Sequence, residues 1–577
     1  MTRTDSFVVG TLVVLLALIA GLVGLPSLAS SALPTVAPTA SAPRSVARPY
    51  REGVLGRPVS VSPLSARTQA DRDLVSLVYS GLVRNGPGGT LVPDLAERWT
   101  VDPTGSIWTF QLRGDARWHD GEPVTADDVA FTIGVLQDPN YHGPGAGSWS
   151  EVTVETAGTQ TVVFTLKNPL GGFLQAATQP IAPAHVLADV PVDQLGSASF
   201  GRQPIGSGPF AVASLSNDVA QLIPAATLLL PSGPGGGGPN ASGSPSAVAP
   251  VPHPNGPVPY LPAMEFHFYD DATALAAAYR DKMLDAASGL SPAMTEELAA
   301  APDSRALRYP GSTLTTVLLN LRPGHPEFAN PAVRTALLEA IDRTAIVDDA
   351  FAGAAVVAAD IIPPSSVLFD PRADPPVGYG TATPTAALKR AGWTLAADGW
   401  HLPKANTPIT IELISPDLAS NSAVYTAAET VTSGWRAIGL TVTHAALPPG
   451  EFVTGRLAAG KFSAAVGDVT IGLDPDLYPL LASSQTVTGG SNIIGLQDQA
   501  LDRLLVAARA PGTDAKRATA YSALEKRLAA GRYVLPLAFA DESIVVRKTL
   551  EGPVVRQVAD PADRFWDVLT WRLAADR

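Results

Sequence analysis

The chain has 577 residues, 46% of them hydrophobic and 16% charged, which supplies a large apolar core and is too much length for one compact domain. A formal net charge of −13, with no basic stripe, excludes nucleic acid as a partner, because a phosphate backbone must be met by clustered Lys and Arg. With no cysteine, the chain has no disulfide, thiolate metal site, thiol nucleophile or cysteine-borne lipid.

The first element in chain order is residues 7–25 (FVVGTLVVLLALIAGLVGL), a run without a charge. As a helix it reaches roughly 28 Å, close to a hydrocarbon core of about 30 Å. That exceeds the usual apolar region of a cleaved signal and favours a retained anchor, while the small residues Ser27 and Ala29 leave cleavage open. Either way the remainder is exported, held at the outer face of the cytoplasmic membrane or released. Residues 1–33 are thus the signal or anchor segment. Residues 34–55, which open on a Pro, Ala, Ser and Thr run without apolar period, are a tether.

Alternation in 108–113 (WTFQLR) puts Trp108, Phe110 and Leu112 on one face, and 161–167 (TVVFTLK) repeats the pattern through Val162, Phe164 and Leu166. Both read as half-buried antiparallel strands. Between them, Thr125 opens Thr-Ala-Asp-Asp before an apolar run, so its hydroxyl caps a helix while Asp128 reaches back. Residues 231–259 are Gly- and Pro-rich and hold neither ladder nor helix. Their four consecutive glycines lack the Lys and Ser/Thr of a phosphate loop, so the stretch reads as a surface insertion.

Further on, Asn330-Pro331 places a capping side chain before a proline at the first helical position, and Val333, Leu337 and Ile341 form one stripe. Asp342 caps the next helix. Tyr521, Leu524 and Leu528 line a helix that ends near Gly531. These stripes are core faces rather than cofactor boxes.

Several segments, read in order, resemble the family 5 extracytoplasmic solute-binding proteins, the oligopeptide, dipeptide and nickel receptors of ABC importers. They are 77–99 (LVYSGLVRNGPGGTLVPDLAERW), 116–131 (ARWHDGEPVTADDVAF), 204–210 (PIGSGPF), 319–346 (LNLRPGHPEFANPAVRTALLEAIDRTAI), 387–393 (ALKRAGW), 434–442 (GWRAIGLTV) and 521–539, which ends in VLPLAF. The family's aromatic Asn-Pro-x-Tyr-Trp segment is missing, and the 231–259 insertion stands near its place.

The resemblance implies an α/β, two-lobed fold of the periplasmic-binding-protein type (type II, cluster C) with an extra subdomain. Lobe I would comprise 56–75, 178–303 and 536–577, the subdomain 76–177 and lobe II 304–535. Crossing segments near 304 and 535 would form the hinge, and lobe closure would capture the ligand. Such a receptor needs no cofactor or metal, acts as a monomer, and hands a small, peptide-like solute to a membrane permease.

In peptide-binding members, an Asp in a Gly-Trp-x-x-Asp stretch holds the ligand's amine. The matching stretch here, 467–476 (GDVTIGLDPD), keeps Gly467 but has Asp468 at the Trp position and Ile471 at the Asp position. Removing one partner of a buried ion pair costs roughly 3–5 kcal/mol, most of a micromolar affinity of about −8 kcal/mol. Either Asp468 or Asp474 therefore takes the amine, or the ligand has none there. Asp474-Pro475-Asp476 can equally be a capping turn. By position, Asp468, Val469, Thr470 and Ile471 line the cleft from lobe II, Ile471 without meeting an ammonium. Thr68, Gln69 and Ala70 would do so where a lobe I strand opens, and Ser312 and Thr313 where lobe II begins. Backbone groups there could bond an extended ligand as an added strand would.

Enzyme readings find little support. There is no Gly-x-Ser-x-Gly elbow, His-Glu-x-x-His or Ser-x-x-Lys, and the eight histidines are scattered. His119, in a Trp-His-Asp-Gly turn, reads as structural. The rival of another class is a binding protein that senses a lipid or glycan of the cell envelope instead of feeding a permease.

Overall fold

The computed structural model describes residues 48–145, 149–229, 259–487 and 490–574. The apolar run 7–25, most of the expected tether and most of the 231–259 insertion lie outside them. Residues 50–55, expected at the end of the tether, instead form a largely buried strand of the main sheet, because they lie between two neighbouring strands and pair with both. Among the described residues no helix is long and apolar enough to cross a membrane.

The main sheet has 11 strands, among them Thr441–Leu447, Thr410–Pro416, Ala464–Thr470, Ser304–Leu319, Val534–Arg547, Ala286–Ser288, Tyr50–Leu55, Met264–Tyr269, Val219–Pro224 and Phe210–Leu215 in spatial order. Ser304–Leu319 and Val534–Arg547 are its spine. The 16 residues of the first extend over roughly 50 Å at about 3.3 Å each, enough to serve two halves of a molecule. They pair antiparallel from Ser304↔Arg547 to Leu318↔Val534, with a register break between Pro310 and Leu314. Before the break the second spine strand takes Ala286–Ser288 as its other neighbour. Beyond it the first takes Ala464–Thr470. Two half-sheets are thus joined by two shared strands.

Gly311 sits at the break because a side chain has no room there: a Cβ would lie 2.2 Å from the Ala540 carbonyl oxygen. Past it, the first spine strand is buried on both faces. Val317 and Leu319 enter one apolar cluster with Leu337 and Trp435, whereas Leu314 and Leu318 enter another with Leu501 and Leu524. This is why its apolar residues do not alternate cleanly: Leu314, Val317, Leu318 and Leu319 are buried on both faces among Ser312, Thr313, Thr315 and Thr316.

A separate 4-stranded antiparallel sheet has the order Ala96–Val101, Ile107–Leu112, Thr161–Leu166, Val152–Thr156. The two alternating segments form its centre, where Phe110 and Phe164 meet edge to face at 5.6 Å. Helix Ala126–Gln137 covers it. Asp128 fixes the helix start as expected, accepting from the Thr125 backbone N–H at 2.8 Å. It also accepts from the Ala184 N–H at 2.8 Å.

The glycine-rich turn of 204–210 is explained by contact. A Cβ on Gly206 would lie 1.9 Å from the Val78 carbonyl oxygen, so the turn lies flat against the end of helix Gln69–Val78. His119 secures it with a ring nitrogen 3.0 Å from the Gly208 carbonyl, a structural duty.

Asn330 and Asp342 cap their helices, each accepting from a first-turn backbone N–H. Helix Asp514–Gly531 ends where expected, but its left-handed cap is Arg532, at φ 45°. The strain is tolerable because the Arg532 guanidinium is fixed by the buried carboxylate of Asp374.

The C-terminal segment returns to the first strand through a buried ion network. Arg564 donates to Glu52 at 2.7 Å and to both oxygens of Asp73 at 2.7 Å, and Tyr50 donates to Glu52 at 2.8 Å.

Candidate functional site

The site forms where the two spine strands cross between half-sheets. Asp468, on Ala464–Thr470, lies opposite Thr315 of the first spine strand. It accepts from the Thr315 hydroxyl at 2.6 Å and from the Asn421 amide at 3.1 Å. Asn421 can supply that donor because its amide oxygen caps helix Ser422–Ala437, which fixes the group. Asp468 is exposed as a residue, although protein packs around its carboxyl. That packing strips water from the carboxyl and pushes its pKa up, the two hydrogen bonds opposing.

The second spine strand contributes Asp541 and Glu542, which face Pro310 and Tyr309 in the ladder. Desolvation raises Asp541, with the Arg308 charge opposing. Glu542 is pushed up to about 7, chiefly by desolvation and then by the negative charge of Asp560, with a further contribution from Asp468. Arg564 and Arg72 oppose the shift. Neither Asp468 nor Glu542 has an ion-pair partner among the described residues.

The third wall is the start of helix Gln69–Val78. The Gln69 amide donates to Asp73 at 2.7 Å and reaches Asp560 at 3.4 Å, and the Arg72 guanidinium pairs with Asp560 at 2.7 Å. Asp560 also caps the C-terminal helical segment Pro561–Thr570. Arg72 and Asp560 also line a cavity of about 520 Å³ with Tyr79, Arg84 and Trp566, but that cavity lies wholly against the first half, and Gln69, Asp468, Asp541 and Glu542 are not among its lining residues.

The structure distributes the expected site residues unevenly. Gln69, Asp468 and Thr470 lie on these walls, and the hydroxyls of Thr313 and Thr470 meet at 3.2 Å. Val469 is half-buried and pairs with Leu314. Thr68 is not at a strand mouth: it is the helix cap, its hydroxyl accepting from the Asp71 N–H at 3.0 Å. Ala70 is buried in the core. Ser312 lies within the long spine strand, 1% exposed, with its carbonyl bonded to the Ile471 N–H at 3.0 Å. Ile471 joins the apolar cluster of Phe452 and Leu477. Asp474 gives both oxygens to Arg517 at 2.8 Å, so its charge is already met. Asp476 accepts from the Tyr478 N–H at 3.1 Å, the capping half of the turn.

Sequence reasoning missed Arg72, Asp541, Glu542 and Asp560. The signal for two of them was present, since an Asp-Glu pair interrupts a largely apolar strand one residue after VLPLAF. Among the described residues no group of three or more His, Cys, Asp or Glu could hold a metal ion.

The sequence model of bacterial extracellular solute-binding proteins, family 5 Middle, matches residues 90–491, well over half the chain. The chain belongs to this family. Among its family 5 relatives is the nickel-binding periplasmic protein of Escherichia coli (strain K12), 26% identical over 400 residues, which cover 67% of this chain and 69% of that protein. The oligopeptide-binding protein AppA of Bacillus subtilis, solved with a nonapeptide, superimposes with a TM-score of 0.70 at 21% identity over 92% of this chain and 100% of that one. NikZ of Campylobacter jejuni, solved with Ni(L-His), does so with a TM-score of 0.69 at 22% identity over 91% and 99%. The family 5 fold is therefore that of a two-lobed receptor, and the chain is an extracellular solute-binding protein.

Proposed function

We propose that this family 5 protein is the receptor of an ABC importer, that its solute carries a positive charge, and that it delivers the solute to a permease in the membrane. The observation that supports the charge preference is the pair Asp468 and Glu542: two desolvated carboxylates, on different strands of the main sheet, neither in an ion-pair contact among the described residues, with Arg564 and Arg72 only partly offsetting the desolvation of Glu542. A cationic group between them would favour their ionised forms and recover the desolvation each now suffers. Relatives named as nickel-binding and oligopeptide-binding proteins support the reading, as do relatives described as peptide-binding proteins of ABC transporters.

In this reading 56–75, 178–303 and 536–577 form one lobe and 304–535 the other, with 76–177 riding on the first, subject to two adjustments. Strand Tyr50–Leu55 belongs to the first lobe, and the spine changes lobes at its register break, 304–310 packing with the first and 535–539 with the second. Residues 7–25 keep the monomeric receptor at the membrane face. Gln69, Thr313, Asp468, Val469 and Thr470 contact the ligand, along with Glu542. No step makes or breaks a covalent bond.

Thermal stabilisation by a library of peptides, peptide amides and free amines tests this. A ligand at 100 times its dissociation constant adds about 2.7 kcal/mol to stability, a clear shift in melting temperature. Stabilisation by cationic solutes at pH 8 and its loss in Asp468→Asn is the expected result. Stabilisation by envelope lipids or glycans alone would overturn the importer reading.

A further inference from the structure

A second bridge joins the two halves of the molecule, independent of the spine strands. It lies between the loops of the 4-stranded sheet and the corner where helix Gln499–Arg509 gives way to helix Asp514–Gly531. The Gly171 N–H donates to the Arg509 carbonyl at 2.8 Å. A Cβ on Gly171 would lie 3.0 Å from Arg517 Nε and 3.1 Å from the Ala510 carbonyl oxygen. A Cβ on Gly172 would lie 2.7 Å from Asp474 Cγ and 2.9 and 3.0 Å from its two oxygens. A third glycine, Gly105, would place a Cβ 2.2 Å from Pro511 Cγ.

Local backbone needs do not explain Gly172. Its φ of −85° and ψ of 6° are open to any L-residue, and it merely precedes the short helix Phe173–Ala176. What excludes a side chain is the opposite half of the molecule. The receiving surface is in turn held rigid. Asp474 is gripped by Arg517 through both oxygens. Asp476 pairs with Arg509 at 2.9 Å, whose guanidinium also lies 4.5 Å from the centre of the Tyr478 ring. The Tyr521 hydroxyl donates to the Pro475 carbonyl at 3.0 Å. Residues 474–478 are thereby fastened to both helices, and the glycine loop meets a fixed plate.

We infer that Gly171 and Gly172 form a latch that fixes the closed arrangement of the receptor by seating against Asp474 and the 509–511 corner, and that they are glycines so that the two surfaces can touch. The inference rests on the lobe-closure reading above. Asp474 thereby acts in closure instead of holding the ligand. Opening at the hinge must break the Gly171–Arg509 bond and expose the Asp474–Arg517 pair to water, so the latch sets how much of the receptor is closed before ligand arrives.

The chain has no cysteine, so two labels can be placed without background, for example at Glu155→Cys on the 4-stranded sheet and Lys526→Cys on helix Asp514–Gly531. Gly172→Val is expected to lengthen the distance between the labels in the absence of any ligand. Gly172→Ala should lengthen it less, and adding Asp474→Gly to Gly172→Ala should restore it. Where a ligand is in hand, a tenfold fall in the closed fraction lowers its apparent affinity about tenfold, chiefly through faster release. Wild-type distances in both Gly172 variants would overturn the latch, as would longer distances that Asp474→Gly leaves unchanged. The distance measurement needs no ligand, so it stands or falls separately from the identity of the solute.

Discussion

At the scale of single residues, the chemistry lies in where carboxylates are and what faces them. Glu542 titrates near neutrality because it is desolvated beside Asp560 and Asp468. A cationic ligand binds its ionised form, so affinity should fall as pH drops below about 7, by up to tenfold per unit. Binding near pH 7 should release a proton, which calorimetry in buffers of different ionisation enthalpy detects. Glu542→Gln should remove both effects and weaken binding about 10- to 100-fold, the range of one charged hydrogen bond. A pH-independent affinity in the wild type would sink the assignment.

Glu525, buried beneath Asp370 and near Asp360 and Asp374, is a different case. Desolvation raises it from 4.5 to about 8, the backbone N–H of Asp370 opposing. Between those values the folded state keeps a proton that the unfolded state has released, so stability falls as pH rises through the window and the loss is complete above 8. Glu525→Gln should therefore raise the melting temperature at pH 8 and leave it nearly unchanged at pH 5. An equal change at both would refute the sign. The capping residues Thr125, Asn330 and Asp342 were legible because a cap is a local rule. Glu525 was not, because desolvation depends on elements distant in the chain, and for Glu542 the sequence showed only that a charged pair interrupts the strand, not how it is buried.

At the scale of elements, the alternating strands and amphipathic helices were readable from period alone. The two spine strands were not, since burial on both faces erases the alternation that marks a strand. Their crossing was expected only from the resemblance to the family. Arg564 illustrates the same limit. It lies near the end of the chain and meets Glu52 and Asp73 about 500 positions earlier, a pairing no local pattern shows. Arg564→Met should cost roughly 3–5 kcal/mol, because it leaves two carboxylates buried without their cation. Denaturant unfolding measures this directly, and a loss under 1 kcal/mol would show the network to be solvated. Gly311→Val should also destabilise, by about 1–3 kcal/mol, since the added Cβ meets the Ala540 carbonyl and forces the spine apart.

At the scale of the whole molecule, more than 500 residues would ordinarily divide into domains that unfold separately. Here the spine opposes that division. Leu307, Tyr309, Ile544 and Val546 belong to the apolar cluster of the first half. On the same two strands, Val317, Leu319, Leu535 and Leu537 belong to one cluster of the second half, and Leu314, Leu318 and Phe539 to another. Neither half can unfold without stripping partners from strands the other half needs, and each fully buried Leu or Val so exposed costs about 1.5–3 kcal/mol. The two halves should therefore unfold in one cooperative transition even without ligand, despite the register break at 310–314. Hydrogen exchange tests this, because amides at 307–309 and at 317–319 should report the same opening free energy and the same dependence on denaturant. Two distinct values would mean that the break at Gly311 uncouples the halves energetically as well as mechanically. The spine would then be a pair of tethers, and closure could no longer be described as the motion of two bodies sharing one sheet.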